Sequence, residues 1–304
     1  MLLFVVDSLR SSPGRRGFFM VVNQLGDMSG SIGGGIMEHK FVELAKERLN
    51  QNVSIVKIIR QAHDKKAASN QSGMICSGEQ TILMYTLEEK DILTINNIIQ
   101  SFKVNKGGSL EITPSGICFL NNRVAEDIYQ YKDEENWKYV QDLGCSHLLY
   151  IIGGGHCALA LSYVMNTLDF YITVMDERRD LHTMSINYYA DELVHIENYK
   201  RLADLIPEGQ NVFIVVMTLG YRTDYIALRS LLSGTFGYIG VLGSDAKIRE
   251  LFANYKKDGI EASMLRRLHA PVGISIKSET PEEIAISIAA EIIDEKNNQS
   301  RRKV

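Results

Sequence analysis

The stretch LLYIIGGGHCALAL, residues 148–161, decides the fold of the second half of this chain. Its opening LLYII is an apolar run of the length of one buried strand, and its end continues as an apolar helical run. The apolar stretch continues to residue 165 and so has nearly the length of a membrane span, but the glycines in its middle divide it into a strand and a helix. Between these flanks, Gly153-x-Gly155-x-x-Ala158 matches the dinucleotide fingerprint. Gly153 permits the tight turn, Gly155 lets a phosphate approach the backbone, and Ala158 keeps the helix close to the sheet. The helix start offers free N–H groups to an anion. Asp176 closes the next strand-like run about 20 residues on, where a carboxylate can accept a ribose hydroxyl. A Rossmann fold that has lost its ligand would share these features. His156 sits at the positive helix end, which disfavours imidazolium, so it reads as a neutral hydrogen-bonding group or as a polar filler.

Working outward, strand-like runs at 147–152, 170–175, 212–218 and 238–242 alternate with helical runs at 157–168, 224–232 and 245–257. Such alternation predicts a parallel sheet. The last helix has a marked start, with Thr280 as N-cap, Pro281 after it and Glu283 closing a capping box. Its body is apolar almost all round and is expected to pack deep against the sheet. The first half reads differently. Strand-like runs at 2–6 and 18–23 flank a basic, turn-rich loop that carries Arg15 and Arg16. A glycine cluster at 30–35 precedes an amphipathic helix in which Phe41, Leu44, Ala45 and Leu49 recur at helical spacing. Strands at 53–60 and 81–86, a helix at 91–101 and a hairpin at 110–120 follow. Residues 126–144 are acidic and aromatic with little periodicity, which reads as a connection with a short helix near Trp137. The expected division is therefore a first domain at 1–125, a linker at 126–145 and a second domain at 146–304.

With 304 residues the chain has room for two domains, and 45% hydrophobic with 23% charged residues excludes a disordered composition. A net charge of −4 argues against nucleic acid as a partner. The opening MLLFVV is too short for a secretory signal and lacks a basic segment before it. The four cysteines show no CxxC spacing. They are expected to be reduced thiols in a cytoplasmic protein without membrane attachment. Two sites in the first half invite chemistry. Gly33, Gly34 and Gly35 lead into a helix with Glu38 in its first turn. They can cradle an anion with help from Arg15 and Arg16, with a plain tight turn as the competing reading. Cys76 can ligate a soft metal as thiolate or simply be a buried cysteine.

Taken together, GSIGGGIMEHK, MICSGEQ, YIIGGGHCALAL, VMDERRD, YIGVLGSDAK, APVGISI and TPEEIAISIAAEII resemble the XdhC/CoxI family, accessory proteins of molybdenum hydroxylases such as xanthine dehydrogenase. The resemblance runs over nearly the whole chain with its motifs in a fixed order. It implies an α/β protein with a mixed N-terminal XdhC/CoxI domain and a C-terminal Rossmann-type, doubly wound parallel-sheet domain. It also implies an accessory protein that binds and protects the molybdenum cofactor (molybdopterin, in plain or dinucleotide form). Delivery would be to the apo-enzyme of a xanthine dehydrogenase-type hydroxylase, with a cysteine desulfurase as a further partner and a homodimer as the assembly. The residues carried over are Gly33, Gly34, Gly35, Glu38, Gly153, Gly155, His156, Asp176, Arg178, Gly243, Ser244 and Lys247 for cofactor binding, with Cys76 near molybdenum. Here the family's Cys-Gly-Gly motif reads Cys76-Ser77-Gly78, and Leu219 stands where many relatives have His, so any role of that histidine is absent. The competing class is an NAD(P)-dependent oxidoreductase built on the Gly153 turn, although no Ser-Tyr-Lys relay accompanies it. A regulatory Rossmann module that senses a nucleotide is a third reading.

Overall fold

The computed structural model describes the chain except residues 10–11, 63–77, 104–106, 125–126, 146 and 302–304. It divides into two compact units, Met1–Gly144 and Cys145–Val304.

The first unit is organised by β1 (Leu2–Leu9), whose side chains alternate between two cores with the strand period of two. β1 lies within an antiparallel sheet of order β3-β2-β1-β5-β4, completed by β2 (Phe19–Val22), β3 (Met28–Gly30), β4 (Val56–Ala62) and β5 (Glu79–Tyr85). Leu3 and Val5 pack beneath α1 (Gly35–Asn50), which buries Met37, Phe41, Val42 and Ala45. Leu2, Phe4 and Val6 point the other way, into a second core. There they meet Leu110, Ile112, Trp137 and Tyr139 of a four-stranded sheet. That sheet has the order β7-β6-β9-β8, from β6 (Gly108–Thr113), β7 (Gly116–Leu120), β8 (Ile128–Tyr131) and β9 (Trp137–Leu143). α2 (Ile92–Lys103) contacts β7.

The expected linker at 126–145, with a helix near Trp137, is corrected here: β8 and β9 are paired antiparallel strands, and β9 also pairs with β6. Trp137, Tyr139 and Gln141 alternate onto the buried side of β9. Three of the acidic residues that disguised this pattern, Asp133, Glu134 and Glu135, sit in the tight turn between the two strands, where Asp133 accepts N–H bonds from Glu135 and Asn136.

The second unit is a parallel sheet of order β12-β11-β10-β13-β14-β15. Its elements are β10 (His147–Ile152), α3 (His156–Met165), β11 (Phe170–Asp176), α4 (His182–Ser185), β12 (Glu192–His195) and α5 (Leu202–Leu205). They continue as β13 (Gly209–Val216), α6 (Tyr221–Leu231), β14 (Phe236–Val241), α7 (Asp245–Lys257), α8 (Ala262–Leu265), β15 (Leu268–His269) and α9 (Pro281–Arg301). This is the doubly wound Rossmann order, in which the winding reverses between the first and fourth strands, here β10 and β13. Leu149 and Ile151 of β10 face α3 and α9, while Ile152 faces the side covered by α6 and α7. Ala285, Ile288 and Ile292 of α9 are buried against the sheet, whereas Ile286 on the opposite face is 54% exposed, so only one side of its apolar circumference packs. Its capping box is formed, with Glu283 N–H bonded to Thr280 Oγ1 at 3.3 Å and Thr280 N–H bonded to Glu283 Oε2 at 3.2 Å. Periodicity alone did not reveal β12 or β15. β12 is a largely exposed edge strand, and β15 spans only Leu268 and His269. Among the described residues, no helix is long and apolar enough to cross a membrane.

Candidate functional site at the carboxyl edge of the parallel sheet

Ligands of open parallel sheets bind beyond the carboxyl ends of the strands, at the point where the strand order reverses. Gly153 follows β10 at that point, with φ of +111°, and a Cβ on it would lie 2.4 Å from the Met217 carbonyl oxygen beyond β13. The turn therefore sits tight on the neighbouring strand, which only glycine permits. Gly154 is buried under Met184. Gly155 differs from both: it is the N-cap of α3 with φ of −76°, no side chain caps the helix, and a Cβ there would meet nothing within 4 Å. Open space beside an uncapped helix start is the geometry that a phosphate uses. His156, the first residue of α3, is exposed at the same edge.

Asp176 ends β11 and is fully buried. Its carboxylate accepts the Gly154 N–H at 2.7 Å, the Arg178 N–H at 2.8 Å, Arg178 Nε at 3.0 Å and Arg178 Nη2 at 2.7 Å. Burial pushes this carboxyl upward, but the bonds from Arg178 and the two backbone N–H groups prevail and hold it below its ordinary range. Those contacts fill the roughly four acceptor positions of a carboxylate. Asp176 thus braces the glycine turn and orients Arg178, instead of offering a free oxygen to a ribose. The expected pairing of Asp176 with a sugar hydroxyl does not form from this arrangement, because the arginine two residues on has taken that place.

Two further loops complete the edge. Thr218 follows β13, and its N–H and hydroxyl donate to Asp224 Oδ1 at 2.9 and 2.7 Å. Asp224 is fully buried in the first turn of α6 and forms an ion pair with Lys247. The Lys247 ammonium also donates to the Leu242 carbonyl at 3.0 Å, and Ser244 caps α7 by accepting the Lys247 N–H at 3.3 Å. The Gly243-Ser244-x-x-Lys247 motif thus ties the loop after β14 to the loop after β13, with its ammonium directed to a carboxylate. Sequence reasoning missed Asp224 as an anchor; its signal was a carboxylate in the first turn of a helix that follows a buried strand. Leu219 is 76% exposed in this loop.

In the first unit, Gly33, Gly34 and Gly35 have φ of +126°, +75° and +70°. Such a run costs L-residues about 1–2 kcal/mol per position. The concavity these glycines form is filled from within. Glu38 Oε2 accepts the Ser31 hydroxyl at 2.6 Å, the Ile32 N–H at 2.9 Å and the Gly34 N–H at 3.0 Å. Burial raises the Glu38 pKa, but these bonds outweigh it and hold the group below the usual carboxylate range. Arg16 is engaged elsewhere, donating to the Asp127 carbonyl at 2.5 Å. Gln80, the last residue of MICSGEQ, is 1% exposed and donates to the Ile32 carbonyl at 3.1 Å. The structure therefore brings the end of that motif against the glycine loop. Cys76 and Ser77 lie outside the described residues.

Comparison with known proteins agrees with this two-part geometry. Residues 1–59 match the XdhC and CoxI family, and residues 149–292 match the XdhC Rossmann domain. The chain belongs to the XdhC and CoxI family. The uncharacterized protein YqeB of Escherichia coli is 25% identical over 97% of the chain and 43% of its own length. A Bacillus subtilis protein, named as a probable subunit of xanthine dehydrogenase, is 28% identical over 57% of the chain and 48% of its own length. The chain thus spans about half the length of the curated relatives it matches. A crystal structure described as a xanthine dehydrogenase from Bacillus halodurans superposes with a TM-score of 0.74. That superposition covers 98% of the chain and 91% of that protein at 22% identity, and it establishes the shared fold. The family's Rossmann region contains the whole carboxyl edge described above, and its N-terminal region contains the Gly33–Glu38 loop.

Proposed function

We propose that this protein is an accessory protein of a xanthine dehydrogenase-type molybdenum hydroxylase, which binds the molybdenum cofactor, shields it and passes it to the apo-enzyme. The observation that carries the reading is the joint presence of both XdhC family regions, each built around its own glycine-rich loop. The name of the Bacillus subtilis relative supports a hydroxylase of this type as the partner. The uncapped start of α3 beside Gly155 fits a phosphate of the cofactor, with His156 at the rim. The Gly33–Gly35 loop fits an anion only if Glu38 gives way. When bound, the cofactor supplies the redox centre that the hydroxylase will use. The chain's own residues bind and orient it. Cysteine desulfurase as a donor of sulfur and a homodimeric assembly belong to this same proposal.

A nicotinamide-dependent oxidoreductase is the second reading, favoured by the Rossmann strand order and the Gly153 turn. A reconstitution assay separates the two. Protein preloaded with molybdenum cofactor and mixed with cofactor-free hydroxylase is expected to restore hydroxylase activity faster than free cofactor does. Equal rates with and without the protein would contradict the accessory role.

A further inference from the structure

An open cleft of about 550 Å³ lies beyond β11 and β12, lined by Arg178, Arg179, Asp180, Leu181, Met184 and His195, among others. Asp176 and His195 are register partners at the carboxyl ends of these strands. In Rossmann folds this is the place of the adenosine ribose. A free carboxylate there selects an unmodified 2′-hydroxyl, and an arginine there accommodates a 2′-phosphate. In this chain the carboxylate is fully engaged, as described above. The Nε and Nη2 of Arg178 form the fork that holds Asp176, and Nη1 has no protein acceptor among the described residues. The guanidinium is thus fixed by a buried anion with one edge left toward the cleft. Arg179 is exposed beside it. His195 Nε2 lies 3.0 Å from the Glu177 carbonyl, an acceptor, so that nitrogen's N–H is spent on the protein and His195 walls the cleft without adding a donor to it. Asp180 also lines the cleft and opposes an anion, so the arrangement works through directed donors and not through net charge.

We infer that this cleft recognises a phosphate monoester, and that the nucleotide it takes is 2′-phosphorylated, as in NADP, in preference to NAD. The inference rests on the reading of the Gly153 turn as the seat of a phosphate-bearing ligand and names the chemistry at its far end. It does not require nicotinamide turnover, because a bound dinucleotide can serve as a sensor as well as a reactant.

The test is calorimetric titration of the full chain with NADP, NAD, 2′-AMP, 5′-AMP and inorganic phosphate. NADP is expected to bind roughly tenfold or more tightly than NAD, the factor that one charge-assisted hydrogen bond supplies. 2′-AMP is expected to bind more tightly than 5′-AMP and than inorganic phosphate. Removing Arg178 would strand the buried Asp176, so the variant used first is Arg179→Ala. It should bring the NADP-to-NAD ratio toward one while thermal unfolding stays unchanged. Arg178→Gln, which keeps a donor toward Asp176, should lower the ratio further. Equal affinities for NADP and NAD, or a preference that both variants keep, overturn the inference and leave the Gly153 turn as a nucleotide site. Binding of neither dinucleotide overturns it and leaves the turn to the phosphate of a different ligand, the molybdenum cofactor. Inorganic phosphate binding as tightly as 2′-AMP overturns the nucleotide and leaves a simple anion site.

Discussion

Gly153 and Gly155 belong to one motif but answer to different constraints. Gly153 holds a left-handed conformation and touches the Met217 carbonyl, so Gly153→Ala is strained even without a ligand. It should cost about 2 kcal/mol of unfolding free energy. Gly155 has ordinary φ and open space at its Cβ, so Gly155→Val should change stability by only about 1 kcal/mol or less. It should nonetheless weaken a phosphate ligand sharply, because the side chain fills the approach to the helix start. Urea unfolding of both variants, paired with ligand titration of Gly155→Val, checks the contrast. Undiminished binding by a folded Gly155→Val protein would remove the turn from the site. The sequence made this turn legible because a strand, three glycines and a helix follow one another without interruption. It did not reveal that Asp176 is closed off. That fact depends on Arg178 folding back two residues, and a carboxylate followed by an arginine reads the same whether the pair forms or points apart. Glu38 posed the same problem: a first-turn carboxylate reads as a dipole partner, and only the fold shows it reaching back to the Ile32 and Gly34 N–H groups.

Two polar nodes fasten elements of the second unit, and each makes a measurable prediction. The Asp224–Lys247 pair joins α6 to the first turn of α7, with Asp224 fully buried and Lys247 about three-quarters covered. Lys247→Met leaves a buried carboxylate without its cation and should lower stability by about 3 kcal/mol. The double variant Asp224→Asn/Lys247→Met, which keeps an acceptor for Thr218, should recover much of the loss, and a full additive loss would show that the two side chains act independently. The second node pins α9. Glu291 accepts the Tyr238 hydroxyl at 2.6 Å, the Gly273 N–H at 2.7 Å and His269 Nδ1 at 3.2 Å. Burial pushes Glu291 upward, but the bonds from His269, Tyr238 and Gly273 outweigh it and depress its pKa. A carboxyl depressed by folding adds stability that is fully present above its unfolded value of about 4.3 and is lost as pH falls through the lower folded value. Glu291→Gln should therefore be less stable at neutral pH and should lose less stability on acidification than the parent. Urea midpoints across pH 7 to 3 read this directly, and parallel curves for the two proteins would exclude the node as a source of acid lability. Among elements, α9 was legible from its capping box, whereas β8 and β9 were hidden. Their burial pattern is short, and the charges of the intervening turn dominate the composition of that segment.

At the scale of the whole chain, two units with separate cores each carry a glycine loop, and the two differ in how they are closed. The loop at Gly33–Gly35 is satisfied by its own Glu38, while the start of α3 beside Gly155 is left open. An accessory protein that holds and then releases an anionic cofactor needs a site whose donors are preformed but not locked, and the second unit has that character. An oxidoreductase of this fold needs in addition a group placed to move a proton at the nicotinamide. Leu219 in the loop after β13 cannot supply one, whereas His156 at the rim of the same edge carries a ring that could, so turnover is decided by assay. The most direct test is to mix the purified chain with freshly released molybdenum cofactor, desalt it, and measure bound molybdenum and nicotinamide turnover in the same sample. The account predicts that the cofactor is retained and decays more slowly than when free. It also predicts no substrate-dependent NAD(P)H oxidation near the roughly 1–10³ s⁻¹ of ordinary enzymes. Loss of all molybdenum on desalting, together with turnover in that range, would contradict it.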